Sequence, residues 1–452
     1  MMADADHIRA ALVVIGAGPA GIAAAVVAAE RGVRTIVIDR GLELGGQIWR
    51  HRAGATLPVT AMHWIARFEH SGAELVSGAS VIDARRTANG VEIVVDRGGR
   101  ALRVHTRDLV LACGARELFL PFPGWTLPGV VGIGGAQALL KSGASFAGQR
   151  VVIAGSGPLL LPVAASLAHD GARLVTVAEQ ASSAAVARFG AGLWRSPALV
   201  AQAMRYRARF AATRYRAGTW VKAAHGTDRL THVTLTSGSR TWDEAADVLC
   251  TGYGLVPSTE LARLLGCTTE RGAVVVDARQ VTSIPRVYAA GESTGIGGAP
   301  LSIVEGMIAG LAVASPGAIP ASLTRRRSAL HRAATRMHQA FAPRQELRTL
   351  AAHDTIVCRC EDVRFGALLT ASCARQAKLH TRAGMGPCQG RICGPALELL
   401  RGWSVDTVRS PIEPTSISVL CADDSDGASA SDSASTGADT GSSFSSLAAG
   451  AR

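Results

Sequence analysis

Short apolar runs alternate with glycine turns and helix-length stretches along most of the chain. Residues 11–15 (ALVVI) are continuously apolar, the pattern of a strand buried on both faces of a parallel sheet. GAGPAG follows, then a stretch that predicts a helix from Gly21 to about Gly32, then an apolar strand at 35–38. The same order returns at 150–154 (RVVIA), with GSGPLL, a helix to about Gly171, and a strand at 173–178. Further strand-like runs at 109–112, 247–250 and 287–290 each lead into a glycine, and a helix-like segment spans 301–314. The order predicts a doubly wound α/β chain in which one dinucleotide-binding domain interrupts another. The first domain would comprise 1–115 and 250–320, and the insert 116–249. Residues 321–350, rich in Arg and Ala at helical spacing, read as a linker helix. A small cysteine-bearing domain is expected over 351–405 and a tail over 406–452. From about 422 the tail is mostly Ser, Ala, Gly, Asp and Thr, which predicts disorder.

Composition narrows the class. Hydrophobic residues make up 48% and charged ones 18%, so wholesale disorder is excluded. Fifty glycines and only 4% aromatics suit an α/β protein with many tight turns. The net charge of +12 invites nucleic acid, anionic lipid or a polyanionic cofactor. The basic stretches are Arg205, Arg207, Arg209, Arg214 and Arg216, and the run 325–327. They read as solvated faces, and no nucleic-acid signature accompanies them, so no nucleic-acid partner is expected. Nine cysteines are too few for a disulfide scaffold. The N-terminal residues lack a secretory pattern, and no run of 18 apolar residues occurs. The expected setting is cytoplasmic and reducing, with peripheral attachment to the inner face of the cell membrane as the alternative.

Gly16-Ala17-Gly18-Pro19-Ala20-Gly21 fits G-x-G-x-x-G between a strand and a helix. Gly16 permits the tight turn, Gly18 lets a pyrophosphate approach the backbone, and Gly21 lets helix and strand pack closely. The helix N-terminus offers partial positive charge to the phosphates. Asp39, followed by Arg40, ends the second strand, where it can accept a ribose hydroxyl bond. Gly46 and Gln47 follow shortly after, Gly114 closes the 109–112 run, and Gly291-Glu292 closes the 287–290 run. These motifs resemble the two-dinucleotide-domain flavoproteins related to thioredoxin and glutathione reductases, over about residues 10–315. The resemblance implies FAD on the first loop, Glu292 on the ribityl chain, and the helix start at 297–302 near the flavin pyrimidine. A positive helix end there would stabilise negative charge on reduced flavin.

The second loop keeps Gly155 and Gly157 but carries Leu160 in place of the third glycine, with Glu179 ending the next strand. In the family this domain takes NAD(P)H. Glu179 would favour NAD over NADP, because a 2′-phosphate would meet a like charge. The lost glycine weakens pyrophosphate packing, so NAD or another adenine nucleotide stands beside a degenerate, structural domain as readings. No Cys-x-x-Cys occurs, which argues against disulfide reductase activity. Cys113, Cys250 and Cys267 read as small core residues.

Cys358-Arg-Cys360 and Cys388-x4-Cys393 give C-x-C and C-x4-C with 27 residues between them. Four thiolates in two close pairs can hold a tetrahedral zinc or an iron–sulfur cluster. The spacing and its glycine-rich flanks resemble the bacterioferritin-associated-ferredoxin-like [2Fe-2S] domain. Cys373, Cys421, His353 and His380 fall outside the pattern.

CGARE (113–117), GSGPLLLPVA, CTGYGLVPSTEL (250–261) and CRCEDV (358–363) carry a closer likeness. With them the chain resembles the FAD/[2Fe-2S] subunits of heteromeric amino- and imino-acid dehydrogenases. That group includes subunits of opine oxidase, D-hydroxyproline dehydrogenase and hydrogen cyanide synthase. The resemblance implies an electron-relaying subunit. Its partner would be a D-amino-acid-oxidase-like FAD subunit that oxidises the substrate C–N bond. Further expectations are FMN at a subunit interface and a small ferredoxin-like subunit. No catalytic acid–base set is expected in this chain, and none is apparent in its sequence. Two alternatives remain: a self-sufficient NAD(P)H-dependent flavin/[2Fe-2S] oxidoreductase, and a non-catalytic iron–sulfur scaffold.

Overall fold

A computed structural model describes residues 6–51, 57–193, 197–315, 317, 319–404 and 407–422. The disorder expected from about 422 concerns residues that, apart from Ala422, lie outside the described set. The first sheet opens with β1 (Asp6–Ile15), α1 (Pro19–Ala29) and β2 (Thr35–Ile38). Helix α2 (Val59–His70) leads to β3 (Glu74–Val76). A long antiparallel meander follows: β4 (Ala79–Thr87), β5 (Gly90–Arg97) and β6 (Arg100–Leu111). The strand order is β3-β2-β1-β6-β5-β4, and the short strand Val287–Ala289 pairs with β6. β1 lies parallel to both β2 and β6, and its side chains enter two cores, Leu12 and Val14 one and Val13 and Ile15 the other, so both faces are covered, as its unbroken apolar run requires.

The chain then crosses into a second sheet on β7 (Ala115–Glu117). Here β8 (Val130–Gly132) and α3 (Ile133–Lys141) precede β9 (Arg150–Gly155), α4 (Leu160–His169) and β10 (Arg173–Glu179). Helices α5 (Ser183–Gly192) and α6 (Pro197–Arg209) lead to β11 (Arg214–Ala217). Next come the antiparallel strands β12 (Trp220–His225), β13 (His232–Thr236) and β14 (Thr241–Ala245), then β15 (Val248–Gly252). The parallel order is β11-β10-β9-β15-β8. Strand β15 therefore lies inside the second sheet, bonded to β9 and β8. The boundary expected after residue 249 cuts this strand. The chain instead returns on β16 (Leu255–Pro257), which pairs antiparallel with β7. That two-stranded ribbon carries both crossings.

The return segment holds α7 (Glu260–Leu264) and α8 (Gly298–Ala314). α8 lies directly on α1. A Cβ at Gly306 would collide with the carbonyl of Ala20, and one at Gly310 with that of Ala24. These two glycines, four apart on one face, set how closely the helices approach. α9 (Ala321–Ala340) ends ten residues short of the expected linker helix. Pro343 cannot donate an N–H and disfavours helical backbone at the residue before it. The chain breaks there and resumes as a 3₁₀ turn, Gln345–Thr349.

The C-terminal unit has its own core, built on Val357, Leu368, Leu397 and Trp403 with Cys358 and Cys393. Beyond it the chain returns to the first domain. Ile412 N–H donates to the Ile82 carbonyl, and Val419 packs with Ile82 and Val94. Among the described residues, no helix is long and apolar enough to cross a membrane. The basic stretches are only partly solvated faces. Arg207 bonds the Phe210 and Thr213 carbonyls, Arg216 stacks on Trp242, and Arg327 points at a buried glutamate.

Candidate redox site

The first glycine loop turns at the carboxyl end of β1. Gly16 sits at φ +106°, and a Cβ there would strike the Ala112 carbonyl. A Cβ on Gly21 would strike the Gly16 carbonyl. Both positions therefore require glycine. Gly18 is different: its backbone is extended, and nothing lies within 4 Å of where its Cβ would stand. It opens the groove through which a pyrophosphate can reach the first turn of α1, which Pro19 starts. Asp39 braces the loop, its Oδ2 accepting the Ala17 N–H and its Oδ1 the Gly41 N–H, both at 2.5 Å. The segment after Asp39 folds back so that a Gly46 Cβ would stand 2.9 Å from the Gly18 Cα. Gln47 is exposed beside it. Arg40 points elsewhere: its side chain is 72% exposed and lies 3.8 Å from Glu413.

Gly291 and Glu292 begin a 3₁₀ turn after the strand Val287–Ala289. Gly291, at φ +77°, abuts the side chain of Ala20. This brings the late acidic motif against the first glycine loop. Burial pushes the Glu292 carboxyl up, and the Gly298 N–H at the start of α8 pulls it back. Gly114, at φ +69° with open space around its Cβ position, lies between β6 and β7, three residues past the end of β6. Gly16, Gly18, Gly46 and Gly291 thus lie together around the start of α1, and Glu292 follows Gly291 directly.

Sequence reasoning missed Glu305. It is fully buried on α8, accepts bonds from Gly291 N–H (2.9 Å) and Thr294 Oγ1 (2.8 Å), and faces His331 Nε2 of α9 at 2.9 Å. A lone acid within the apolar helix run LSIVEGMIAGLAVA was the available signal. Also missed was Glu117, which caps α3 by accepting the Gly134 N–H at 2.5 Å. Burial pushes its carboxyl up.

The second loop repeats the plan with different surroundings. Glu179 is wholly buried, accepting Gly157 N–H (2.7 Å) and Ala181 N–H (2.8 Å). Burial pushes its carboxyl up to about 7. Leu160 is a core residue at the start of α4.

Four cysteines, two on each of two loops, line a single pocket of about 210 Å³. Cys358 ends the strand Ile356–Cys358, Cys360 follows it, and Cys388 and Cys393 bracket the start of the helix Cys393–Arg401. Phe119 and Trp125 of the second domain, Arg359 and Ile392 complete the lining. A Cβ at Gly386 would collide with Cys360, so glycine lets the two loops close. Burial opposes ionisation of Cys388, but the N–H groups of Ile392, Gly390 and Arg391 and the Cys360 thiol outweigh it and hold the thiol below its ordinary range. Burial, then the neighbouring Cys358 and Cys388, push Cys393 up. Among the described residues, no three or more His, Cys, Asp or Glu gather tightly enough to hold one metal ion. Cys250 and Cys267 are buried core residues; Cys113 is half-buried, its thiol pushed up to about 12 by burial and then by Glu260 and Asp39.

The segment after β6 reaches the cysteine loop. Arg116, two residues after Gly114, donates from Nε to the Arg391 carbonyl at 3.1 Å, inside the Cys388–Cys393 loop. Glu260 pairs with Arg116 at 2.8 Å and approaches Arg391 at 4.0 Å. Trp125 Nε1–H donates to the Ile356 carbonyl at 2.6 Å, fastening the second domain to the cysteine unit.

Residues 10–315 match the pyridine nucleotide-disulphide oxidoreductase family. The chain is 32% identical to the A subunit of opine oxidase from Rhizobium meliloti, covering 90% of this chain and 97% of that protein. It is 31% identical to the HcnB subunit of hydrogen cyanide synthase from Pseudomonas protegens, covering 84% and 89%. Its fold superposes on L-proline dehydrogenase from P. horikoshii with a TM-score of 0.68, over 92% of this chain and 80% of that one, at 18% identity. On T. acidophilum thioredoxin reductase the TM-score is 0.54, over 68% and 98%, at 23% identity. The chain belongs to the pyridine nucleotide-disulphide oxidoreductase family and is a flavin-dependent oxidoreductase, related over most of its length to the opine oxidase and HcnB polypeptides.

Proposed function

We propose that this chain is the electron-transfer subunit of a heteromeric dehydrogenase that oxidises the C–N bond of an amino acid, imino acid or opine. FAD is held by Gly16, Gly18, Pro19, Ala20, Gly21, Asp39, Gly46, Gly114, Gly291 and Glu292, and a [2Fe-2S] cluster by Cys358, Cys360, Cys388 and Cys393. The observation that carries this reading is the direct bond from Arg116, beside the flavin groove, to the Arg391 carbonyl of the cysteine loop. It supports a reading in which a two-electron site and a one-electron site lie on adjoining elements. When bound, the flavin accepts an electron pair and releases it singly, and the cluster passes single electrons. The chain's own residues bind, orient and insulate. Glu305 and Thr294 fix the ribityl-side turn, and Glu260 holds the two arginines at the junction.

Substrate oxidation takes place in a partner FAD subunit like a D-amino-acid oxidase. An FMN between subunits and a small ferredoxin-like subunit belong to the same assembly. Two relatives of this length are named as subunits of opine oxidase and hydrogen cyanide synthase, which supports a multi-subunit setting. The test is reconstitution. The purified chain alone should reduce no dye with amino acids, imino acids or opines, and should do so once its partner subunit is added. Full activity from the isolated chain would contradict the proposal.

A further inference from the structure

The two glycine loops are each braced by an acid from the following strand, yet their backbones and open faces differ: Gly18 is extended, whereas Gly157 lies at φ +91°. Ala17 N–H bonds Asp39 in the first, and Gly157 N–H bonds Glu179 in the second. At Gly18 the space beyond the backbone is clear. At its counterpart Gly157, side-chain carbons of Phe341 stand 3.7–4.0 Å from the Cβ position. Phe341 begins the break after α9, and its ring packs edge-on against Phe189 of α5, with centroids 5.1 Å apart.

The polar groups of this face are also taken. Ser156 Oγ donates to the Phe341 carbonyl at 2.9 Å. Gln180, only 1% exposed, donates to the carbonyls of Ala342 (3.0 Å) and Phe341 (3.3 Å) and to Ser156 Oγ (2.9 Å). Its Oε1 accepts the Arg344 N–H at 3.1 Å. The Arg344 guanidinium lies 3.9 Å from the Trp220 ring centroid, and Leu347, three residues on, is fully buried. Residues 341–347 are thus a strap held at both ends. The Ser156 hydroxyl of the loop and the Gln180 amide beside it thus bond carbonyls of the strap, and the Gly157 N–H is taken by Glu179.

We propose that the strap 341–344 plugs the second dinucleotide-binding face, so that this domain receives the chain's own segment in place of an adenine nucleotide and is closed to NAD(P)H. The domain then serves to seat the cysteine unit, which follows the strap directly. Electrons must enter from elsewhere than a nicotinamide on this face. The strap arises where Pro343 ends the helix, so the break and the plug have one cause.

The experiment uses the full, flavin-loaded chain with ADP and NADH as probes. Wild type should bind neither in calorimetry, and millimolar NADH should leave its flavin oxidised. The double variant Phe341→Ala/Gln180→Ala, with flavin content and far-UV circular dichroism retained, should gain ADP binding by about tenfold or more over wild type. Phe341→Leu, which keeps the plug filled, should behave as wild type. Hydrogen exchange on wild type gives a reading that needs no variant: the Arg344 amide should be protected, with or without NADH. Nucleotide binding by wild type, a folded double variant that gains none, or an unprotected Arg344 amide would each overturn the proposal.

Discussion

The Glu305 carboxylate accepts the Gly291 N–H at 2.9 Å from a wholly buried position on α8. The same carboxylate faces His331 Nε2 at 2.9 Å and Arg327 at 3.6 Å on α9. One side chain therefore joins the Gly291 turn to the helix that leads to the cysteine unit. Removing the carboxylate leaves the buried Gly291 N–H without its partner, at a cost of about 1–3 kcal/mol. Glu305→Ala should lower the urea midpoint and release flavin on gel filtration. Unchanged flavin retention and midpoint would show that the turn is held by other contacts.

Gly18 has an extended backbone that any residue can adopt, and open space beside it. Gly18→Val should fold with normal circular dichroism yet fill the pyrophosphate groove. Flavin per chain should fall about tenfold or more. A folded variant with wild-type flavin absorbance would move the cofactor off this loop.

Cys388→Ser exchanges one soft donor for a hydroxyl and leaves the first domain untouched. Iron content and the charge-transfer absorbance should drop to background while flavin stays. Full iron occupancy in the variant would remove Cys388 from the ligand set. Cys373→Ser, outside the pocket, should change neither.

Burial raises the Glu179 carboxyl to about 7 in the folded chain, above its value in an unfolded one. The unfolded state thus loses its proton first as pH rises. The corresponding stability is present in acid and disappears between the ordinary carboxylate range and about pH 7. The thermal midpoint should fall across this window, by the equivalent of roughly 1–3 kcal/mol. Glu179→Gln should flatten that slope. Identical slopes in variant and wild type would assign the dependence to other groups.

Motifs whose chemistry depends on close spacing were legible in the sequence. The Gly16–Gly21 loop with its following acid, Gly291-Glu292, and the paired cysteines each occupy a few neighbouring positions, and the fold sets Gly291 against Ala20 of the loop. Features set by distant partners were not. Val248–Gly252 reads equally well as a strand of either sheet, and only its pairing with β8 and β9 assigns it. The meander from Ala79 to Leu111 alternates apolar and charged residues, a weaker signal than a continuous apolar run. Pro343 could have marked the end of α9. That the freed segment lies on Gly157, a loop distant in sequence, has no local signature.

The most direct test of the central claim is joint flavin, iron and zinc analysis of the natively purified chain, with electron paramagnetic resonance after dithionite reduction. The account predicts a yellow-brown protein with about one flavin and about two irons per chain and a reduced [2Fe-2S] signal. A colourless protein, or a single zinc in place of the irons, would contradict it.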